Sequence, residues 1–266
     1  MLSTLIDKLR AKARRHLVGA HRVVGRRVER TGLPLQRLGT SYGGWTFLPT
    51  AELCAGGLVV CCGAGEDISF DIELVRQFGC STVIIDPTPR AIAHFEEVCA
   101  AIGRGERYPV NRSDSDFYEP ADVDIRKLAF VARAIWSESA SLKFYLPRNP
   151  EHVSHSLVNL QNTDNYIEVE ACPLSGILGS KVEAGPVLVK LDIEGAEHVV
   201  IRSMLGEGFR PQQILVEFDQ LNFPSRRALV QVESTIQYLA DAGYRFIHFD
   251  GMSNCLFLQA DLISGS

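Results

Sequence analysis

The last two strands of the chain constrain its fold more than any other feature. Residues 244–249 and 254–259 both read as strands, and only Asp250-Gly251-Met252-Ser253 separates them. A parallel crossover needs a dozen or more residues, so this pair must be antiparallel. Everything upstream points the other way. Residues 57–62, 81–85, 186–191 and 213–218 are short apolar runs of the kind buried in a parallel sheet. Helical spacing of apolar residues fills 68–78, 88–102, 196–205 and 226–242, with Thr88 placed as an N-cap, Pro89 at the first helical position and Gly243 as a stop. Alternation of this kind predicts an α/β domain with a mostly parallel sheet whose last strand is reversed.

The middle is looser. Residues 103–124 are polar and acidic, 128–135 read as a third buried strand, and 141–146 and 166–170 alternate as strands. Between the latter two lies a stretch rich in Asn, Ser, His and Pro, 147–165, too long for an ordinary connection and therefore a candidate functional loop.

Charge divides the chain. Residues 1–31 hold nine Lys/Arg against Asp7 and Glu29, a local +7; the whole chain carries −5, so the remainder carries −12. An acidic body argues against a nucleic-acid partner. Apolar residues at helical spacing over 2–28, interleaved with Lys8, Lys12, Arg15, Arg22 and Arg26, predict a basic amphipathic helix ending near Thr31-Gly32-Leu33-Pro34. Three uses are open: peripheral contact with an anionic membrane or a partner through residues 1–30, an organellar transit segment, or a helix packed on the domain with its basic face in water. The division expected is a helix and linker over 1–40 and a catalytic domain over 41–266. The seven cysteines are odd in number, form no Cys-x-x-Cys pair and follow no secretory segment, which predicts reduced thiols and a cytoplasmic location, in places peripheral to a membrane. Their spacing resembles no zinc site, and no metal is called for.

Two motifs carry chemistry. In Val59-Val60-Cys61-Cys62-Gly63-Ala64-Gly65-Glu66-Asp67 a Gly-x-Gly turn joins a strand to a helix, where the backbone can approach a ligand closely. Asp86, followed by Pro87, ends the next strand, where a carboxylate can accept hydrogen bonds from a ribose. A dinucleotide fingerprint would place a third glycine at position 68, occupied here by isoleucine, and Glu66 and Asp67 would repel a pyrophosphate at the helix start. The same acids tolerate an ammonium and a sulfonium, which points to S-adenosyl-L-methionine; their plain reading is complementation of the helix dipole.

The second motif is Leu191-Asp192-Ile193-Glu194-Gly195-Ala196-Glu197, three acids in six residues at the carboxyl end of a central strand. Unpaired carboxylates are almost never fully buried, and this strand end is where open α/β sheets bind ligands. Glu217 and Asp219 close the adjacent strand; with Asp192 they orient acceptor and cofactor more simply than they would hold a hard cation. A third group, His152-Val153-Ser154-His155-Ser156, lies in the polar loop, with His155 a candidate general base and an exposed loop the plain reading.

Together Gly63 to Asp71, Ile85-Asp86-Pro87-Thr88-Pro89, the Val153-Ser154-His155-Ser156 loop and the Asp192 motif resemble the FkbM family of S-adenosylmethionine-dependent methyltransferases over about residues 42–259. The resemblance implies a Rossmann-like class I methyltransferase fold, with a seven-stranded sheet and reversed last strand, and methylation of a hydroxyl on a sugar, glycan or small metabolite. It implies cofactor contacts from Gly63, Ala64, Gly65, Glu66, Asp67, Asp86, Pro87 and Asp192. Asp192 would also lie near the acceptor, and Asp192 and His155 are the candidate bases. Two other readings stay open here: a nicotinamide-dependent oxidoreductase on a similar sheet, and a non-catalytic membrane-docked module with the same fold.

Overall fold

In the computed structural model, residues 19–145, 165–179, 185–222 and 224–264 are described. The amino-terminal elements are α1 (Ala20–Gly25), β1 (Gln36–Leu38), β2 (Trp45–Phe47) and α2 (Ala51–Cys54). Next come β3 (Leu58–Cys62), α3 (Ser69–Phe78), β4 (Ser81–Ile85) and α4 (Pro89–Gly103). A short pair, β5 (Tyr108–Pro109) and β6 (Phe117–Tyr118), precedes β7 (Leu128–Val131), β8 (Ala134–Ile135), β9 (Ala140–Tyr145) and β10 (Tyr166–Cys172). The last part holds α5 (Leu174–Leu178), β11 (Leu188–Leu191), α6 (Glu197–Gly206), β12 (Gln213–Glu217), α7 (Arg226–Asp241), β13 (Tyr244–Phe249), β14 (Asn254–Gln259) and α8 (Asp261–Ser264).

Seven strands form the main sheet in the order β13-β14-β12-β11-β3-β4-β7. The pairs β12–β11, β11–β3, β3–β4 and β4–β7 are parallel. β14 is antiparallel to both its neighbours, β12 and β13, so the reversed strand expected from the four-residue turn is inserted between them. Asp250 makes that turn tight: its Oδ1 accepts from the amides of Met252, Ser253 and Asn254 at 2.7, 3.0 and 3.1 Å.

Period-two alternation distributes the strands between two cores. Val60, Cys62, Val189 and Leu191 face one side with Ile201, Met204 and Leu205 of α6. Val59, Cys61 and Leu188 face the other with Phe70 and Leu74 of α3 and with Trp45 and Phe47 of the β1–β2 hairpin. Burial on both faces explains why these strands read as unbroken apolar runs. The sheet grows outward from β3 to β4 and β7, then returns to the other side of β3 with β11 and β12. The order therefore switches between β3 and β11, the place beyond the strand ends where open α/β sheets bind ligands.

One expectation changes and two gain detail. Residues 128–135 form two strands, not one. The exposed step Ala132-Arg133 ends β7 in the main sheet, and β8 turns away to pair parallel with β10, which also pairs antiparallel with β9. Thr88 is the N-cap of α4, but its hydroxyl makes no cap bond; it donates to Asp86 at 2.6 Å. The expected helix over 2–28 is described only from residue 19. There Ala20 and Val24 are fully buried in the main core, and Glu29 N donates to Phe246 O at 2.7 Å, so this part packs on the domain. Every cysteine of the described residues is free; Cys54 is exposed and Cys99 half-buried, and burial pushes the fully buried Cys62 thiol up to about 12.

Candidate active site

Gly63 and Gly65 serve different ends. Gly63 has φ +87°, and a Cβ there would lie 1.8 Å from the carbonyl oxygen of Asp192. Only glycine lets the ends of β3 and β11 approach this closely. Gly65 has φ +54°, and a Cβ there would meet nothing within 4 Å. The space beside Gly65 is therefore open, and the turn leaves room there for a ligand.

Asp86 stands where the sequence places it, at the end of β4, but its carboxylate is occupied. Oδ2 accepts from the amides of Ala64 and Gly65 at 2.9 and 3.2 Å; Oδ1 accepts from the amide and hydroxyl of Thr88 at 2.8 and 2.6 Å. A carboxylate offers about four acceptor positions, all taken here by the protein. Asp86 thus braces the glycine turn, and Pro87 carries the chain from it into Thr88.

Glu66 and Asp67 also have protein partners. Glu66 is bound by Arg90 of α4, with Nη2 at 2.5 Å and Nε at 3.2 Å. Asp67 accepts from Thr40 Oγ1 at 2.6 Å, from Ser69 N at 3.0 Å and from Asn111 at 3.4 Å, tying the loop between β1 and β2 to the start of α3. Ile68, where a dinucleotide turn would carry glycine, is fully buried, and its amide donates to Tyr118 Oη at 3.0 Å. His94 Nε2 lies 2.9 Å from the same hydroxyl; burial lowers this histidine's pKa, which favours the neutral ring.

The acids gather on the other side of the switch point. Register pairs Leu191 with both Cys62 and Val216, so Gly63, Asp192 and Glu217 follow side by side on β3, β11 and β12. Beneath them lies Lys190, its side chain 4% exposed. Its Nζ donates to Gly63 O at 2.7 Å, stands 3.6 Å from Asp192 Oδ2 and lies 5.5 Å from the centre of the Trp45 ring. Burial works against a charged ammonium, but Asp192 and the fully buried Asp71 outweigh it, and Lys190 holds its proton more tightly than an ordinary lysine. Asp192 itself is partly open to solvent.

Glu217 accepts from Ser253 Oγ at 2.9 Å and stands beside Asp192 across the β11–β12 pair. Burial, then Asp192, raises its carboxyl well above the ordinary range. Burial followed by Glu194 and Glu197 does the same to Asp219. Glu197 is fully buried at the start of α6; its Oε1 accepts from Ile193 N and Gly195 N at 3.2 and 3.0 Å, and burial pushes it up to about 7. Glu194, with φ +54°, occupies the left-handed region within this turn. Tyr42, 78% exposed on the β1–β2 loop, stands in the field of Asp192, Glu217 and Glu194. Among the described residues no group of three or more His, Cys, Asp and Glu side chains could hold a metal ion. His152, Ser154, His155 and Ser156 lie outside the described residues.

Sequence reasoning had brought Gly63, Gly65, Asp86, Asp192 and Glu217 to the strand ends, and there they are found. It missed Lys190 and Thr40. The signal for Lys190 was available, since a lysine inside an otherwise apolar central strand must be buried and paired. Thr40 carried none.

No curated protein matches the chain. Among solved structures it is similar to cofactor-bound Rv0187 from MTB, with 14% identity, a TM-score of 0.43 and coverage of 79% of this chain and 81% of that one. It is also similar to M. jannaschii TYW2 in complex with AdoMet, with 11% identity, a TM-score of 0.32 and coverage of 85% and 87%. The methyltransferase FkbM domain matches residues 55–246, from just before β3 into β13. This span takes in both the glycine turn and the acidic strand ends, and the chain belongs to the FkbM methyltransferase family.

Proposed function

We propose that this methyltransferase, whose cofactor is S-adenosyl-L-methionine, methylates a hydroxyl group on a sugar or small metabolite, with Asp192 as the base. The observation that carries the reading is the placement of Asp192. Its carboxylate is partly open at the end of β11, beside the glycine turn, and is held from below by a buried ammonium. The family assignment sets aside the nicotinamide-dependent oxidoreductase.

The bound cofactor supplies a methyl group made electrophilic by its sulfonium. Gly63, Ala64 and Gly65 would hold the adenosine end against the open face of the turn, with Asp86 and Pro87 acting by fixing that turn. The partly open carboxylate of Asp192 would face the methionine side, where a negative charge suits a ligand with two cationic groups. An alcohol is a poor nucleophile while it keeps its proton. Asp192 accepts that proton as the new carbon–oxygen bond forms, and Lys190 stabilises the carboxylate before the transfer. His155 remains the second candidate base on its sequence position alone.

The test is incubation of the purified protein with S-adenosylmethionine carrying a ¹³C methyl, together with pooled polar metabolites and oligosaccharides. The expected product is one methyl heavier, with the label on oxygen. Asp192→Ala should form none while remaining folded by circular dichroism. Label on nitrogen, or an active Asp192→Ala protein, would overturn the assignment. A separate part of the reading concerns residues 1–30. Their basic helical pattern supports contact with an anionic surface, measured as co-sedimentation of the full chain with phosphatidylserine vesicles at low salt. No helix of the described residues is long and apolar enough to cross a membrane.

A further inference from the structure

The FkbM assignment and the Asp192 base leave one strongly perturbed group without a task, the carboxyl of Glu217. It sits at the end of β12, next to Asp192 across the parallel pair β11–β12 and opposite Asn254 across the antiparallel pair β12–β14. Ser253, fixed by the Asp250 turn, donates its hydroxyl to Oε1 at 2.9 Å. The groups facing Glu217 are mostly acidic. Asp192 and Glu194 come from the end of β11 and the turn after it, Asp219 from beyond β12, Tyr42 from the β1–β2 loop and Cys255 from β14. The nearby cation, Lys190, is already engaged with Gly63 O and Asp192. Two carboxyls in contact with one cation between them cannot both ionise cheaply, and the more buried one keeps its proton.

We propose that Glu217 is a positioning residue for methyl transfer: as a neutral acid held by Ser253, it donates a hydrogen bond to the Asp192 carboxylate and turns the other Asp192 oxygen toward the acceptor hydroxyl. The proton on Glu217 stays there through the reaction. As the carbon–oxygen bond forms, the sulfur–methyl bond would break and leave S-adenosylhomocysteine as a neutral thioether, while the O–H bond breaks and its proton goes to the Asp192 oxygen turned toward the acceptor. Two carboxyls thus divide the work, with one touching the acceptor and the other fixing its direction. The inference rests on the proposal that Asp192 is the base.

Carboxyl NMR of the full-length protein, uniformly labelled with ¹³C-glutamate and without cofactor or acceptor, tests it directly. Two glutamate signals should titrate above the ordinary range, that of Glu197 and a higher one, and the higher one should be absent from Glu217→Gln. In Asp192→Asn the same signal should titrate lower by about one pH unit or more, because a neutral amide replaces the charge that opposes ionisation. Where Glu217→Gln does not fold, Ser253→Ala identifies the signal by shifting it further upward. In the labelled-methyl assay Glu217→Gln, whose amide still donates to Asp192, should keep most of the activity, and Glu217→Leu should lose about a hundredfold in kcat with KM little changed. A Glu217 signal that titrates in the ordinary range, or one unmoved in Asp192→Asn, overturns the proposal. Failure of the wild-type protein to bind S-adenosylhomocysteine by calorimetry would instead strike the functional assignment, leaving the carboxyl titration as its own result.

Discussion

Replacing each glycine of the turn by alanine separates what holds the turn together from what it holds. In Gly63→Ala the new Cβ would fall 1.8 Å from the Asp192 carbonyl oxygen. Restoring an ordinary contact of about 3.5 Å requires the ends of β3 and β11 to part by more than about 1 Å. The φ of +87° adds about 1–2 kcal/mol for any residue with a Cβ, and forced displacement of packed backbone about 1–3 kcal/mol more. A loss near 4 kcal/mol lowers the melting temperature of a chain this size by about 10 °C. Gly65→Ala carries the left-handed term alone, because its Cβ meets nothing within 4 Å, and should melt within about 4 °C of the parent. Binding should invert the order of interest. The alanine methyl at position 65 enters the space a nucleoside would occupy, and affinity for S-adenosylhomocysteine should fall tenfold or more, about 1.4 kcal/mol. Thermal denaturation followed by circular dichroism, with titration calorimetry on the same samples, reads both. Equal melting temperatures for the two variants would refute the close approach of β3 and β11, and unchanged affinity in Gly65→Ala would refute the open face as the ligand's place.

Other perturbations probe the remaining parts. Asp86→Asn replaces one acceptor oxygen by a donor that faces either the turn amides or Thr88, so cofactor affinity measured by calorimetry should drop about tenfold; a drop confined to stability would make Asp86 purely architectural. Lys190→Met leaves Asp192 and Asp71 without their cation, and chemical denaturation should register a loss of about 3–5 kcal/mol. A loss below about 1 kcal/mol would mean that the buried charge does not hold the acids. Glu197 titrates at an ordinary 4.5 when unfolded and about 7 when folded. The folded chain therefore keeps a proton that the unfolded chain has lost, and the stability this confers is present below pH 4.5 and disappears as pH rises through 7. Glu197→Gln keeps an acceptor for Ile193 N and Gly195 N but cannot titrate. Between pH 5 and 8 the wild-type protein should lose about 3 kcal/mol relative to the variant, and parallel stability curves would contradict the assignment.

The sheet was legible because its strands obey simple constraints. β13 and β14 were delimited by a turn too short for any crossover, and β3, β4 and β12 by runs of apolar residues that are buried on both faces. Residues 128–135 were misread because apolar character continues across a change of sheet, and only the exposure of Ala132 and Arg133 reveals the break. At the site, residue identity located the carboxylates but not their partners. Asp67 and Asp86 are acids in the expected places, yet Thr40 lies 27 positions from Asp67 and Ala64 22 from Asp86, and pairings set by tertiary approach leave no periodic trace. Lys190 lies between these cases: its burial follows from its strand, while the identity of its acceptor, a glycine carbonyl 127 positions away, does not.

The insertion of β14 between β12 and β13 bears on how the molecule is made. During synthesis β12 emerges first and cannot acquire its outer neighbour until residues 254–259 leave the ribosome. The hydroxyl of Ser253 arrives with them, and so does the shielding of the strand edge that ends in Glu217. Until that moment the nascent chain exposes an unpaired strand edge, Gln213–Glu217, suited to chaperone capture or to mispairing with another chain. Stalled or truncated products ending before residue 254 should accordingly be found bound to holdases rather than as compact, cofactor-binding fragments.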